Sequence, residues 1–563
     1  MIIMRDTDRP WLRRDTIFAS TPGGLLISNA TSGFEITGQS AYELFSRIYP
    51  LFNGELTVAQ IKTAVSERNW KLVEAMARPL EDHGFLRWIP TADFELISED
   101  LRTRFPDQIA FLAQFTDAPN EAFLAFNHAK ILVVGDDQVV DSLSANLDDN
   151  GAEQLMRVAN FEEVDYEGLS PDLIVLGPSA LAAVVDAQKV DIPFLGICPA
   201  GDYLWALPVK WDEGSANWDL ANDSMKRGSI SAEWTASIEA AYAGHPMWTT
   251  ATSSQAVQRL FGALLAYDIF KGITGAIVPE TSKSILGFNA LTGDTSTHDI
   301  TPLYAEISRE MSAGLEGNLI EVTDSEKPSG MDESNADEYD TIWAPMVDAF
   351  TMPAFSFDDM DLDQVPVKVS QIKTSFGSVF GASPWTTADA RIEAIAKAYG
   401  NSLSQHCSRD SRMPRVVGVG TSRADAIRRA VEMVVRGEIS TGEVEAKAVP
   451  SIINGRLGDF IAEISKGKIV FYDHEPMAGQ CVASAEMEGL RIVGAGANRK
   501  DAQARAAIEL LGRRQVGIDD VDVSLKIGTD ISAAIVQIGH WYVAVCSPAS
   551  KDAPLHNHVA EVH

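Results

Sequence analysis

Residues 16–39 read TIFASTPGGLLISNATSGFEITGQ, and their rhythm decides the fold of the N-terminal region. TIFAST, GLLISNA and GFEITGQ alternate aromatic or β-branched residues with small or polar ones, the two-residue period of a half-buried strand. Pro22-Gly23-Gly24 and Thr31-Ser32 provide turns where such strands must reverse. Downstream the period changes. SAYELFSRIYPLF places Tyr42, Phe45 and Tyr49 at helical spacing, and LTVAQIKTAVS opens on Thr57 as a cap. KLVEAMARPLEDHG sets Leu72, Met76 and Leu80 on one stripe expected to face the interior, with Gly84 as the stop. Three strands followed by three helices outline a small winged helix-turn-helix over residues 1–92.

Beyond it the chain alternates strand and helix. KILVVG, starting at Lys130, is a buried-strand run, DQVVDSLSANLDDNG a helix, and PDLIVLGP and IPFLGICP repeat the strand theme. SSQAVQRLFGALLAYDIF reads as a long amphipathic helix closing the domain. This alternation predicts a parallel sheet covered by helices, an α/β domain over residues 125–320. Residues 321–345, acidic and poor in apolar side chains, read as a linker. Residues 346–563 contain an internal repeat. VVGVGTSRADAIRRAVEMVVRG and IVGAGANRKDAQARAAIELLGRR match at a constant offset, Gly418 with Gly494, Gly420 with Gly496, Asp425 with Asp501 and Arg429 with Arg505. FGASPWTTADARIEAIAKAYGN is a looser copy before them. Each copy reads strand, glycine turn, capped helix, and small residues at Ala426 and Ala430 let the helix lie close on a sheet. The fold class is therefore α/β multidomain with a C-terminal α+β repeat.

At 563 residues the chain exceeds one hydrophobic core, and three domains are expected. A net charge of -33 disfavours nucleic acid as a partner; the N-terminal segment, nearly balanced in charge, is where an acidic peptide meets least repulsion. A winged-helix DNA reader is further disfavoured by Glu74, Glu81 and Asp82 on its third helix. Cys198, Cys407, Cys481 and Cys546 form no CxxC pair, which speaks against a thiolate zinc site. His298 stands alone, and His556, His558 and His563 sit in a polar tail, so no metal is expected. No apolar run approaches membrane-spanning length and no signal-peptide core is evident, so no membrane and a cytoplasmic location are expected. The turn Val134-Gly135-Asp136-Asp137 keeps one glycine of a dinucleotide fingerprint and places two carboxylates where a phosphate would sit. The glycine turns at Gly418 and Gly494 lack a following P-loop lysine and read as close strand-to-helix turns.

LRRDT, the Pro-Gly-Gly turn, Phe34 to Gly38, LFNGELT and HGFLRW together resemble the leader-peptide-binding module (RRE) of ocin-ThiF-like partner proteins of azoline-forming cyclodehydratases. Those proteins serve thiazole/oxazole-modified and thiopeptide-type RiPP biosynthesis, a route to antibiotics. The order of module and α/β region resembles that family too, which implies a ThiF-like Rossmann-type second domain. In relatives the glycine-rich turn binds ATP and CxxC pairs hold zinc; here Asp136 and Asp137 and the cysteine-free PLYAE at Pro302 to Glu306 depart from that pattern. The C-terminal repeat is similar to a degenerate YcaO domain. Where YcaO copies carry magnesium-holding glutamates, this chain has Glu509, Met433 and Lys397, so most of those carboxylates are expected to be missing.

The resemblance implies that a leader peptide adds as a strand along Phe34, Glu35, Ile36 and Thr37, facing Lys71, Glu74, Ala75 and Arg78 on the third helix. No catalytic, cofactor-binding or metal residue is expected in this chain. ATP and Mg belong to the partner enzyme. The implied partners are the precursor peptide and a YcaO-type cyclodehydratase, with a second copy of the chain (a homodimer) as a further candidate. The function implied is a non-catalytic scaffold presenting the precursor for azoline formation. The alternative is an ATP-dependent cyclodehydratase acting itself on Cys, Ser or Thr of the precursor.

Overall fold

The computed structural model describes residues 5–29, 32–65, 67–161, 164, 166–187, 192–209, 211, 217–300, 303–304, 334–409, 415–440, 447–517, 531–538 and 541–548. The chain forms two compact units, one of Met1–Trp218 with Ala236–Thr297, the other of Asp219–Thr235 with His298–His563. The histidine tail and most of the acidic stretch before residue 334 lie outside the described residues. The remainder of that stretch is helical at Ala336–Glu338 and Tyr339–Trp343, and Trp343 is buried.

In the first unit, β1 (Arg9–Leu12) pairs antiparallel with β5 (Leu86–Ile89), and β2 (Ile17–Ser20), β3 (Gly24–Ser28) and β4 (Gly33–Thr37) form a separate meander in that spatial order. The tight turn before β3 needs glycine at 24: its φ is +156°, and a Cβ there would collide with the Ile36 carbonyl. The three helices are α1 (Ala41–Ile48), α2 (Val58–Ala64) and α3 (Glu67–Asp82). Thr57 closes a capping box with Gln60 at the start of α2, satisfying backbone donors that the helix cannot reach itself. Leu25, Ile27, Phe45, Val73, Met76, Leu80 and Phe85 form the core between sheet and helices. The inward stripe of α3 runs through Val73, Met76, Ala77 and Leu80, so Leu72 is not a core residue. It is 45% exposed, because the helix turns its Lys71-Leu72 corner outward.

The same unit contains a seven-stranded, Rossmann-like mixed sheet in the order β12-β11-β10-β9-β8-β6-β7. β6 (Lys130–Val134), β7 (Gln154–Val158), β8 (Leu173–Leu176) and β9 (Phe194–Ala200) run parallel. β10 (Tyr203–Ala206) returns antiparallel to β9 and pairs with β11 (Ser284–Asn289); β12 (Thr295–Asp299) closes the edge. Ile131, Val133, Leu173, Val175 and Ile197 are fully or nearly fully buried, as expected of strands covered on both faces. α4 (Gln138–Asp149) crosses α5 (Gln255–Thr274) so closely that a Cβ on Gly262 would stand 2.6 Å from the Val139 carbonyl. α5 is not amphipathic in the expected sense: Phe261, Leu265 and Ile269 are buried while Leu260 and Tyr267 are exposed, so apolar residues occupy both faces.

The second unit is built on the internal repeat. β15 (Gly377–Ser383) leads to α6 (Thr387–Arg409), β16 (Val416–Gly420) to α7 (Arg423–Ser440), and β20 (Leu490–Gly496) to α8 (Arg499–Val516). The first strand lies in the sheet β13-β14-β15, with β13 at Ser356–Phe357 and β14 at Lys368–Thr374. The second lies in β16-β22-β21, with β21 at Ile531–Ile538 and β22 at Trp541–Pro548. The third closes the four-stranded meander β17-β18-β19-β20, whose other strands are Lys447–Val449, Val470–Met477 and Gln480–Met487. Gly381, Gly418 and Gly494 occupy one equivalent position. A Cβ on any of them would strike the backbone of its own helix, at Ala390 and Ala394, Ala426 and Ala430, or Ala502 and Ala506. The small residues therefore do what their spacing predicts.

Candidate functional site

The N-terminal meander leaves β4 with only one neighbour among the described residues. Register decides which backbone groups face outward. Gly38 donates to the Gly23 carbonyl at 2.9 Å, and Leu25 stands opposite Ile36 and Ile27 opposite Phe34. Antiparallel ladders alternate, so Phe34 and Ile36 turn their N–H and C=O toward β3, and Gly33, Glu35 and Thr37 turn theirs to the open edge. The Phe34 ring stacks on His83 at 4.1 Å and meets Phe85 edge-on, anchoring β4 to the end of α3. Lys71, Glu74, Ala75 and Arg78 are all exposed on α3, beside the exposed Leu72. Two cations and a short apolar strip thus lie on the outer face of this helix. The sequence reading placed Leu72 in the core, and it did not single out His83, whose stacking on Phe34 depends on the end of α3 meeting β4.

The parallel sheet reverses direction of construction between β6 and β8, and such a switch point is where doubly wound sheets bind nucleotides. Here the crevice is filled from within. The Asp137 carboxylate accepts the Ser179 backbone N–H at 2.9 Å and its hydroxyl at 2.6 Å. Burial pushes the Asp137 carboxyl above its usual range, and the bonds from Ser179 oppose that shift. A phosphate at this position would have to displace an intramolecular carboxylate from the donors it needs.

A dense charge cluster sits in the second unit, where the three repeat helices converge. Matching the three glycines puts one extra residue in the turn of the first copy, and then Glu393, Arg429 and Arg505 occupy equivalent helix positions, as do Lys397, Met433 and Glu509. Glu393 accepts Arg428 Nη2 at 2.8 Å and Arg429 Nη2 at 2.9 Å, with Arg505 Nη1 3.8 Å away. Arg428, 1% exposed, also reaches Asp425 and Glu432, and Glu432 accepts the Ala495 N–H of β20 at 2.9 Å. Glu509 accepts Lys397 Nζ at 2.9 Å, Arg436 Nη2 at 2.6 Å and Arg513 Nη2 at 3.2 Å. Lys397 Nζ donates as well to the Phe380 carbonyl at 3.0 Å. Burial pushes the Glu393 and Glu509 carboxyls up, but the surrounding guanidinium and ammonium groups outweigh it and hold both well below the ordinary glutamate range.

Of the three positions where a magnesium-holding glutamate was expected, only Glu509 carries a carboxylate, and other carboxylates lie close to it. Glu393 and Glu432 join Glu509, one from each helix, although neither stands at the repeat position where a glutamate was sought. The signal was present: the RR and RA pairs of the two close copies align with Glu393 once the longer first turn is allowed. The donor chemistry does not fit a divalent cation. Each carboxylate is bonded to cationic side chains, and among the described residues no group of three or more His, Cys, Asp and Glu side chains could hold a metal ion. His298, read as isolated, contacts the Asp348 carboxylate at 2.7 Å, and Asp348 also accepts the Phe350 and Thr351 N–H groups. That makes the pair a turn-stabilising contact. Among the described residues no helix is long and apolar enough to cross a membrane.

No family model and no curated protein matches the sequence. Among solved structures, the chain is similar to a heterocyclase solved in complex with substrate and cofactor, at 12% identity and TM-score 0.61, over 96% of this chain and 94% of that one. Two structures of MccB, one of the E. coli protein with ATP and one of the microcin C7 biosynthetic enzyme with N-formylated MccA, match at 14% and 12% identity with TM-scores of 0.37 and 0.35, over 52% of this chain and 97% and 96% of theirs. The chain therefore shares, along nearly its whole length, the fold of a heterocyclase.

Proposed function

We propose that this protein is a leader-peptide-binding scaffold of RiPP biosynthesis. Its N-terminal winged-helix module captures the leader of a ribosomal precursor peptide, and its ThiF-like and YcaO-like domains dock a separate YcaO-type cyclodehydratase that uses ATP and Mg to form azolines. The observation that carries this reading is the open edge of β4, where Gly33, Glu35 and Thr37 offer backbone donors and acceptors beside the exposed face of α3. An extended peptide satisfies those groups by strand addition, while Lys71, Leu72, Ala75 and Arg78 provide side-chain selection. Holding the precursor near the enzyme raises its effective concentration without chemistry in this chain.

The second reading, a cyclodehydratase acting by itself, draws on the shared fold with a heterocyclase. Against it stand the self-filled switch point at Asp137 and the carboxylates of the repeat domain, all engaged by internal cations. Fold alone does not carry chemistry. The deciding experiment is fluorescence polarisation of labelled leader, from the precursor encoded beside this gene, against the full-length protein. Saturable binding with no ATP turnover on precursor alone is expected. Turnover by the isolated protein would establish the second reading, and absence of binding with and without the cyclodehydratase would end the first.

A further inference from the structure

The meander β2-β3-β4 has a second open edge. On the side away from β3, β2 has no strand neighbour among the described residues. Thr21 and Gly24 exchange backbone hydrogen bonds at 3.0 and 3.3 Å. Alternation along the ladder then turns the N–H and C=O of Ile17 and Ala19 toward β3, and those of Phe18 and Ser20 to the open side. Natural sheet edges are guarded by lysine, proline, bulges or inward charges. Ile17–Ser20 carries none of these, and its register with β3 is unbroken. Ile17 is 68% exposed, and the exposed Leu26 stands opposite Ala19 on the same face. On the other face the exposed rings of Tyr42 and Tyr49, from α1, flank Phe18. Apolar side chains thus border the edge on both faces.

Charge and register say which strand covers it. Residues 1–92 hold 10 Lys and Arg against 10 Asp and Glu, whereas the whole chain holds 46 against 79, so the net charge of -33 lies entirely beyond residue 92. Two copies of the chain therefore repel one another least through this module. We propose that β2 pairs antiparallel with β2 of a second copy, about a two-fold axis at Ala19. In that register Phe18 stands opposite Ser20 of the second copy, and each such pair exchanges the hydrogen bonds that both edges leave open. Ala19 meets its own counterpart at the non-hydrogen-bonded position, where Cα atoms come within about 4.5 Å and a small side chain fits. Pro22, which has no N–H to give, falls beyond the ladder. The contact is self-complementary, so it closes at two copies. The sheet becomes β4-β3-β2-β2-β3-β4, with a free β4 edge at each end. This association goes beyond leader capture and does not depend on it.

Sedimentation equilibrium of the full-length protein over ~1–100 µM tests the pairing, since a short ladder with few apolar contacts supports micromolar association. A monomer–dimer equilibrium is expected. Ser20→Pro removes an outward N–H from each copy and leaves the bonds to β3 intact. It should raise the dimer dissociation constant by at least about tenfold, with the melting temperature nearly unchanged. Ala19→Cys should give a disulfide-linked dimer on mild oxidation, whereas Leu26→Cys, one strand further from the axis, should not. If Ser20→Pro fails to fold, the two cysteine variants still decide. A chain that stays monomeric throughout that range would overturn the proposal, as would a dimer that Ser20→Pro leaves intact and Ala19→Cys does not link. A chain monomeric by itself whose binding to the cyclodehydratase is lost on Ser20→Pro would also overturn it, and would assign the edge to the enzyme.

Discussion

The edge of β4 and the cluster on α6, α7 and α8 handle polar groups in opposite ways. At β4, backbone donors and acceptors of Gly33, Glu35 and Thr37 point outward without a strand partner among the described residues. In the cluster, carboxylates lie buried and bonded to several cations each. The first region keeps its bonding capacity available for another chain, as exposed sheet edges do. The second spends its capacity internally and thereby ties three repeat helices together. Recognition can be grafted onto a small sheet edge at little cost in stability, whereas a buried ionic hub becomes part of the core. Loss of one partner leaves its remaining charges stranded.

That contrast can be broken in measurable ways. Glu509→Gln removes the acceptor shared by Lys397, Arg436 and Arg513, and should destabilise the second unit by about 3–5 kcal/mol in denaturant unfolding. Leader affinity should be unchanged by it. The same hub should make the unit acid-sensitive. Glu393 and Glu509 titrate below the ordinary value of 4.5 when folded, so their stabilisation is complete above that pH and is lost as pH falls through their depressed values. His474 adds to this: burial, and then Arg491, push it down to about 4. The unfolded chain therefore takes up that proton first, and stability declines as pH falls from 6.5 toward 4. Unfolding midpoints measured across pH 3–7, with Glu509→Gln flattening the lowest part, check both.

Glu35→Pro strikes the other region. It deletes an outward-facing N–H while leaving the bonds from Phe34 and Ile36 to β3 intact. Leader affinity should fall by at least about tenfold, roughly 1.4 kcal/mol, with the melting temperature nearly unchanged. Ile36→Pro, which removes an inward donor, should instead loosen the meander itself. The smallest effect belongs to Lys71→Glu and Arg78→Glu. Each should weaken an acidic leader by about two- to fivefold, and the difference should shrink in high salt, because both side chains are exposed.

The N-terminal meander was legible because alternation and glycine turns are local signals: Gly24 is required by its own φ and by the Ile36 carbonyl next to it. The α3 stripe was only half legible. Met76 and Leu80 do face the core, but helical spacing alone does not say which side of a stripe is covered, and Leu72 falls outside it. The repeat was visible as a pattern, and its close strand–helix packing followed from Gly418 and Gly494. Its charge hub was legible only in part: Glu393 aligns with Arg429 and Arg505 once the longer first turn is allowed, whereas Glu432 belongs to a different repeat position. The Asp137 turn reads as hostile to phosphate from its charge; that the carboxylate serves Ser179, 42 residues away in the chain, emerges only when β6 and β8 lie side by side.

By itself, then, the sequence determined the strand and helix periods, the turn glycines and the threefold repeat. These depend on neighbours a few positions apart. The tertiary structure alone decided which strand edge stays open, which side of α3 is buried, and how Glu393, Glu432 and Glu509 meet their cations. The reason is physical: ladder partners and buried ion pairs form between residues far apart in the chain, so their identity is set by how helices and sheets pack rather than by any local pattern.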